Sequence, residues 1–77
     1  MTNAERKFFD SCDTFKNYEN LEQYEADIRK WLMLSDWHYT EETAEKIISS
    51  NAEYIKRAFE QRDSASDTGA EIGFGCG

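Results

Sequence analysis

The sequence predicts an all-α fold, a small bundle of three to four short helices followed by a flexible, glycine-containing C-terminal tail. Apolar residues recur at helical spacing in separate segments, and no segment alternates as a half-buried strand does. The chain has no proline, and its four glycines all lie between Gly69 and Gly77. A length of 77 residues allows one small domain, which we assign to residues 1–62, with the tail at residues 63–77.

Capping residues and apolar stripes predict the first two helices. Residues 2–5 have the hydroxyl and glutamate spacing of a capping box, so the first helix begins at Thr2. The second helix follows Asn20, which is a favourable N-cap residue. Its apolar stripe is the clearest in the chain and consists of Leu21, Tyr24, Ile28, Trp31 and Leu32.

The segment at residues 41–62 is predicted to form either one helix or two. Thr40 is the expected N-cap, and Glu41 and Glu42 lie in the first turn, where the helix dipole favours negative charge. One continuous helix fits, because no Gly or Pro forces a break. A second capping box at residues 50–53 favours a break near residue 50, and we adopt that interpretation.

From residue 63 onward the apolar residues no longer recur at helical spacing, and Ser, Thr, Gly and acidic residues predominate. Such a terminus is expected to be mobile on its own. It is either a solvated end or a short linear motif in which Ile72 and Phe74 dock to a partner and become ordered. A further alternative is modification at Cys76, since this end resembles the Cys- and Gly-containing core of a ribosomal peptide precursor behind a helical leader.

No catalytic set, cofactor site or metal site is predicted. The Cys and His residues of the chain are Cys12, His38 and Cys76, which are too few and too widely spaced for a zinc site. Cys12 lies on an apolar helix face, where a free cysteine behaves as a small buried hydrophobe. His38 follows Asp36 in a short loop and is expected to be a surface residue. We therefore expect a protein that is not an enzyme.

The net charge of −7 argues against nucleic acid or an anionic membrane as the partner. A helix-turn-helix over residues 40–62, with Lys56, Arg57 and Arg62 at phosphates, is kept as an alternative. No window of 18 apolar residues is present and the N-terminus lacks a signal-peptide core, so we expect a cytoplasmic protein without a membrane span.

The loop of Trp37, His38 and Tyr39 is the best candidate for a partner-binding site. Trp and Tyr dominate interface hot spots, although Trp37 and Tyr39 would instead fold back as core residues if the domain is short of aliphatics. Glu41 and Glu42 form either a solvated capping turn or an acidic docking patch. We expect a small acidic protein–protein interaction module of accessory or inhibitor type, whose partner is another protein; association into a homodimer is the alternative.

The spacing of residues 21–62 is similar to that of ubiquitin-associated domains, which are three-helix modules with an aromatic-containing loop between helices one and two. The sequence Asp36-Trp37-His38-Tyr39 would be that loop. The glycine of the family's Met-Gly-Phe/Tyr loop is missing here, so its binding surface does not carry over. The resemblance concerns the fold alone.

Overall fold

Five α-helices form the fold, in a computed structural model that describes the backbone of residues 2–76 and the side chains of residues 2–74. They are α1 (Asn3–Ser11), α2 (Leu21–Leu34), α3 (Glu41–Ser50), α4 (Ala52–Glu60) and α5 (Ala65–Cys76). No strand occurs among the described residues, so the all-α prediction is confirmed. The expected three to four helices are corrected to five, because α5 lies in the segment that the sequence assigns to a tail.

The predicted caps begin α1, α2 and α3. Thr2 and Glu5 form the capping box: Thr2 Oγ1 accepts from the Glu5 backbone N–H at 3.1 Å, and Glu5 Oε1 accepts from the Thr2 N–H at 3.0 Å. The side chains of Asn20 and Thr40 each accept a hydrogen bond from the backbone N–H three residues further on. These helices therefore begin at the residues that the sequence indicates.

The helical segment is interrupted at Asn51, between α3 and α4, which confirms the helix break predicted near residue 50. The capping box expected at residues 50–53 is not formed, because Ser50 is the last residue of α3 and the N-cap of α4 is Asn51, whose side chain makes no cap hydrogen bond. Its Nδ2 instead donates to the Ile47 carbonyl oxygen at 2.8 Å. Asn51 thus satisfies the C-terminus of α3 rather than the N-terminus of α4.

A Schellman motif ends α4 and reverses the chain. The Asp63 N–H donates to the Ala58 carbonyl at 2.9 Å, and the Arg62 N–H donates to the Phe59 carbonyl at 3.1 Å. Arg62 adopts a left-handed φ of 60° at the position where this motif favours glycine. The reversal directs the following residues back along α2.

The N-terminus of α5 has a cap that the hydrophobic periodicity does not reveal. Ser64 Oγ accepts from the Asp67 backbone N–H at 3.2 Å, so Ser64 is the N-cap residue of α5. Glycines inside α5 each cost about 1 kcal/mol relative to alanine in helix propensity. We infer that α5 depends on packing against its neighbours rather than on intrinsic propensity.

The central helix is α2, which contacts α3, α4 and, most extensively, α5. Its side chains Tyr24, Ile28 and Leu32 are fully buried. Buried residues from the end of α1 and from each later helix complete the core: Cys12, Ala44, Ile47, Ile55, Ala58, Ala65 and Ile72.

Two glycines permit the close approach of α5 to α2. A Cβ at Gly69 would lie 2.6 Å from Cε3 of Trp31, and a Cβ at Gly73 would lie 2.6 Å from Cζ3 of Trp37. Residues four apart share one face of a helix, so both glycines meet indole rings along the same stripe. The glycines that the sequence assigns to a tail therefore make room for the tryptophans.

Candidate functional site

A short turn places the predicted aromatic loop beside α5. The His38 N–H donates to the Ser35 carbonyl at 3.0 Å, and His38 adopts a left-handed φ of 51°. The rings of Trp37 and Tyr39 lie on the same side, with centroids 5.7 Å apart, while His38 is exposed. The Tyr39 hydroxyl donates to the Gly73 carbonyl at 3.0 Å. The turn thus joins the α2–α3 connection to the C-terminal part of α5.

Trp37 is partly packed and partly exposed. Its ring meets that of Trp31 edge-on at 6.1 Å, and Trp31 in turn meets Phe9 edge-on at 6.1 Å. Even so, Trp37 remains 41% exposed. It is therefore not a buried core residue but a partly exposed ring that contacts Trp31 and Tyr39.

Two open grooves lie on either side of Trp37. The first, of about 460 Å³, is lined by Phe9, Trp31, Leu34, Ser35, Asp36 and Trp37. The second, of about 320 Å³, is lined by Trp37, Ala70, Glu71 and Phe74. Apolar atoms predominate in the lining of both grooves, so Trp37 forms a ridge between two apolar depressions.

The large apolar side chains that the described part of the chain exposes all lie beside α5. Trp37, Tyr54 and Phe74 are 41%, 45% and 80% exposed. Tyr54 lines a third groove, of about 330 Å³, and Glu71 lines both this groove and the one between Trp37 and Phe74. The two grooves therefore adjoin each other at Glu71. We call this region the α5 surface and define it by Trp37, Tyr54, Asp63, Asp67, Glu71 and Phe74.

The carboxylates of the α5 surface repeat every four residues, at Asp63, Asp67 and Glu71. Three ion pairs form within residues 2–74, and none of them includes these carboxylates. Partial burial, together with the negative charges of Glu71, Asp63 and Asp67, raises the pKa of the Tyr54 hydroxyl. The α5 surface thus combines exposed aromatic rings with an acidic edge whose charge is not neutralised within the fold.

Glu41 and Glu42 lie elsewhere, in the first turn of α3. Both are exposed, and Glu42 pairs with Lys46 one turn further on, at 3.5 Å between Oε1 and Nζ. Neither residue lines the grooves beside Trp37. In this position their negative charges stabilise the N-terminus of α3.

The candidate residues of the predicted tail have different environments. Ile72 is only 3% exposed and belongs to the core, so it contacts α2 and α3 neighbours rather than a partner while α5 is packed. Phe74, by contrast, is the most exposed of the large apolar residues described. The side chain of Cys76, the candidate modification site, lies outside the described residues.

Four residues of the α5 surface escaped the sequence prediction, namely Tyr54, Asp63, Asp67 and Glu71. The signal that reveals Asp67 and Glu71 is their four-residue spacing, which places them along one face of α5. That spacing has meaning only once residues 65–76 are recognised as helical, and the cap at Ser64 is the local sign of it. No local sequence pattern identifies Tyr54, because the chain reversal after α4 brings its neighbours in the groove close to it.

Further features of the described residues concern metal binding, cysteine reactivity and membrane insertion. No group of three or more His, Cys, Asp or Glu side chains within residues 2–74 is arranged to hold a metal ion. Cys12 is buried, and desolvation raises the pKa of its thiol, which lowers its thiolate fraction. None of the described helices has an apolar stretch long enough to cross a membrane.

The fold and the α5 surface together define a small all-α domain with an exposed aromatic and acidic face. The chain matches no family model, and comparison with curated proteins and with solved structures found no match. Helices α2, α3 and α4 fall within residues 21–62, the segment in which the resemblance to ubiquitin-associated domains implies three helices. No comparison supports that resemblance.

Proposed function

We propose that the protein is a non-enzymatic protein-interaction domain of accessory or inhibitor type, which binds another protein through the aromatic surface around Trp37. The observation that carries the proposal is the exposure of Trp37, Tyr54 and Phe74 along one side of α5. Exposed apolar patches with a polar rim are typical of interaction sites. Trp and Tyr are also the residues that most often dominate binding energy in interfaces.

The support beneath Trp37 favours binding. Its ring lies against Trp31, Tyr39 and the backbone at Gly73, so one rotamer is held before a partner arrives. Immobilising a free side chain on binding costs about 0.5–1.5 kcal/mol, and a supported ring avoids much of that cost. Trp37 is therefore suited to be an anchor, with Phe74 as a second apolar contact across the groove.

The test is to purify the tagged protein from its native host, identify what copurifies, and measure binding to the purified partner. We expect W37A and F74A each to weaken binding about tenfold or more, as hot-spot substitutions do. Phe74 is so exposed that F74A leaves the core intact. The matched control is R57A/Q61A, which removes two exposed side chains of α4 and its C-cap, away from the grooves around Trp37.

Two results would contradict the proposal. One is full-strength partner binding by both W37A and F74A. The other is a low-salt mobility shift of duplex DNA that K56A/R57A abolishes, which would favour the helix-turn-helix function instead.

A further inference from the structure

We propose that the partner contributes a cationic, helical segment that lies along the α5 surface, with Lys or Arg side chains one turn apart followed by an apolar side chain. This inference rests on the proposed function and specifies its partner. It is drawn from the order of groups on the surface, which is acidic at the beginning of α5 and aromatic towards its end.

The spacing of the carboxylates sets the spacing of the partner's charges. Asp67 and Glu71 are four residues apart in α5, which corresponds to a rise of about 6 Å along the helix axis. Side chains four residues apart on a partner helix repeat at the same interval. A helix laid along α5 therefore presents successive Lys or Arg residues to Asp67 and Glu71.

The position of Glu71 between the two grooves sets the position of the apolar anchor. Glu71 lines both the groove beside Tyr54 and the groove between Trp37 and Phe74. A segment that pairs with Glu71 thus reaches the aromatic groove within its next turn. There an apolar side chain contacts Trp37 and Phe74, and the aliphatic stem of a neighbouring Lys or Arg covers ring surface.

Electrostatics select a cationic occupant. Like charges four residues apart destabilise a helix, and Asp67 and Glu71 belong to none of the ion pairs formed within residues 2–74. Opposite charges on a partner remove that repulsion and raise the association rate. The exposed rings of Tyr54 and Trp37 also offer faces for cation–π contact with Lys or Arg.

A second copy of the chain is a poor occupant of the same surface. A twofold dimer would bring the carboxylates of both copies into one interface, and the residues that define the α5 surface include no cation to offset them. An anionic membrane surface is disfavoured for the same reason of charge. The partner that complements the α5 surface is therefore a basic protein segment.

The experiment uses the full-length ¹⁵N-labelled protein and two synthetic helical peptides of about 14 residues, or four turns. One peptide carries two Lys residues four positions apart and a Leu one turn further along the same helix face, and the other replaces every Lys with Glu. NMR titration at physiological ionic strength measures the affinity for each peptide and identifies the residues of the protein that the peptide contacts. We expect the Lys peptide to shift the Glu71 and Phe74 amides and the Trp37 indole, and the Glu peptide to leave them unchanged.

Protein variants separate local recognition from net charge. D67N/E71Q removes two charges from the α5 surface, and E41Q/E42Q removes two charges from the first turn of α3. We expect D67N/E71Q to lower the affinity for the Lys peptide roughly threefold to tenfold, as the loss of two exposed ion pairs allows. The control pair should change affinity less than about twofold, because distant exposed charges are screened.

Equal loss in both variants, equal binding of the Glu peptide, or shifts confined to other surfaces would overturn the inference. So would a dimer in sedimentation equilibrium that F74A dissociates. The proposed function fails on a different result: if a native partner requires Trp37 and Phe74 but tolerates D67N/E71Q, only the cationic segment is wrong. If the partner ignores Trp37 and Phe74, the proposed binding surface itself is wrong.

Discussion

Tyr24 Oη lies 2.6 Å from Thr68 Oγ1, in a buried hydrogen bond between residues 44 positions apart in the chain. The same hydroxyl donates to the Asp63 carbonyl at 2.8 Å. These contacts join the N-terminal part of α2 to the turn before α5 and to the N-terminal part of α5. Since α5 carries half of the proposed binding surface, a tyrosine buried in the core holds that surface in place.

Removing the Tyr24 hydroxyl should destabilise the fold. Y24F leaves Thr68, which is 1% exposed, without this partner, and an unsatisfied buried polar group costs about 1–3 kcal/mol. The control is Y39F, which removes a less buried hydrogen bond to the Gly73 carbonyl and should cost about 0.5–1.5 kcal/mol. Urea unfolding followed by circular dichroism measures both. A cost for Y24F no larger than that for Y39F would contradict the role of Tyr24.

Alanine at Gly69 should destabilise the protein even though alanine favours helices. The new Cβ would lie 2.6 Å from the Trp31 ring, and overpacking typically costs about 1–3 kcal/mol. Helix propensity returns about 1 kcal/mol, so we expect a net loss of up to about 2 kcal/mol. The matched change is A70G at the adjacent exposed position, which should cost about 1 kcal/mol through propensity alone.

This pair also reports on whether α5 is formed in solution. If residues 63–77 were a mobile tail, neither G69A nor A70G would change the free energy of unfolding.

Glycine at position 62 should stabilise the protein. Arg62 has a left-handed φ of 60°, which costs a residue with a Cβ roughly 1–2 kcal/mol. The added freedom of glycine in the unfolded chain costs about 0.4–1 kcal/mol, so R62G should gain about 0.5–1 kcal/mol. Q61G, at the right-handed C-cap next to it, should instead be destabilising. A destabilised R62G would contradict the strain assigned to this turn.

Stability should fall at alkaline pH. Burial raises the pKa of the Tyr24 hydroxyl, so the native protein keeps a proton that the unfolded chain loses near pH 10. Above about pH 10 the unfolded state binds fewer protons than the native state, and the free energy of unfolding then decreases as pH rises. Urea titrations at pH 8 and at pH 10.5 measure this decrease. Y24F should show a smaller decrease than the wild type, and an equal decrease would contradict the prediction.

Much of the fold follows from local sequence signals. The caps at Thr2, Asn20 and Thr40 act over three residues, and the apolar stripe of α2 is long enough to stand out. The break at Asn51 was predicted at its position but for another reason, since the side chain bonds to α3 rather than capping α4. The aromatic loop was found because Trp37 and Tyr39 interrupt the helical period.

The fifth helix was not predictable from periodicity, because its formation is a tertiary effect. Glycine is a poor helix former, and only the close approach of Trp31 to Gly69 shows why glycine is used there. The burial of Ile72 and the acidic edge at Asp67 and Glu71 depend on that same helix. The sequence pattern therefore identified Trp37 and Phe74 individually, whereas the surface that joins them required the packing of α5 on α2.

The most direct test of this account is amide hydrogen exchange across α5, resolved by residue with NMR on the unmodified full-length chain. The account predicts that the amides of Gly69, Ile72 and Gly73 are protected to the level of the α2 amides at Ile28 and Leu32, because the two helices unfold together. Exchange of the α5 amides at the rate of an unstructured peptide, with α2 still protected, would contradict it and make residues 63–77 a mobile tail.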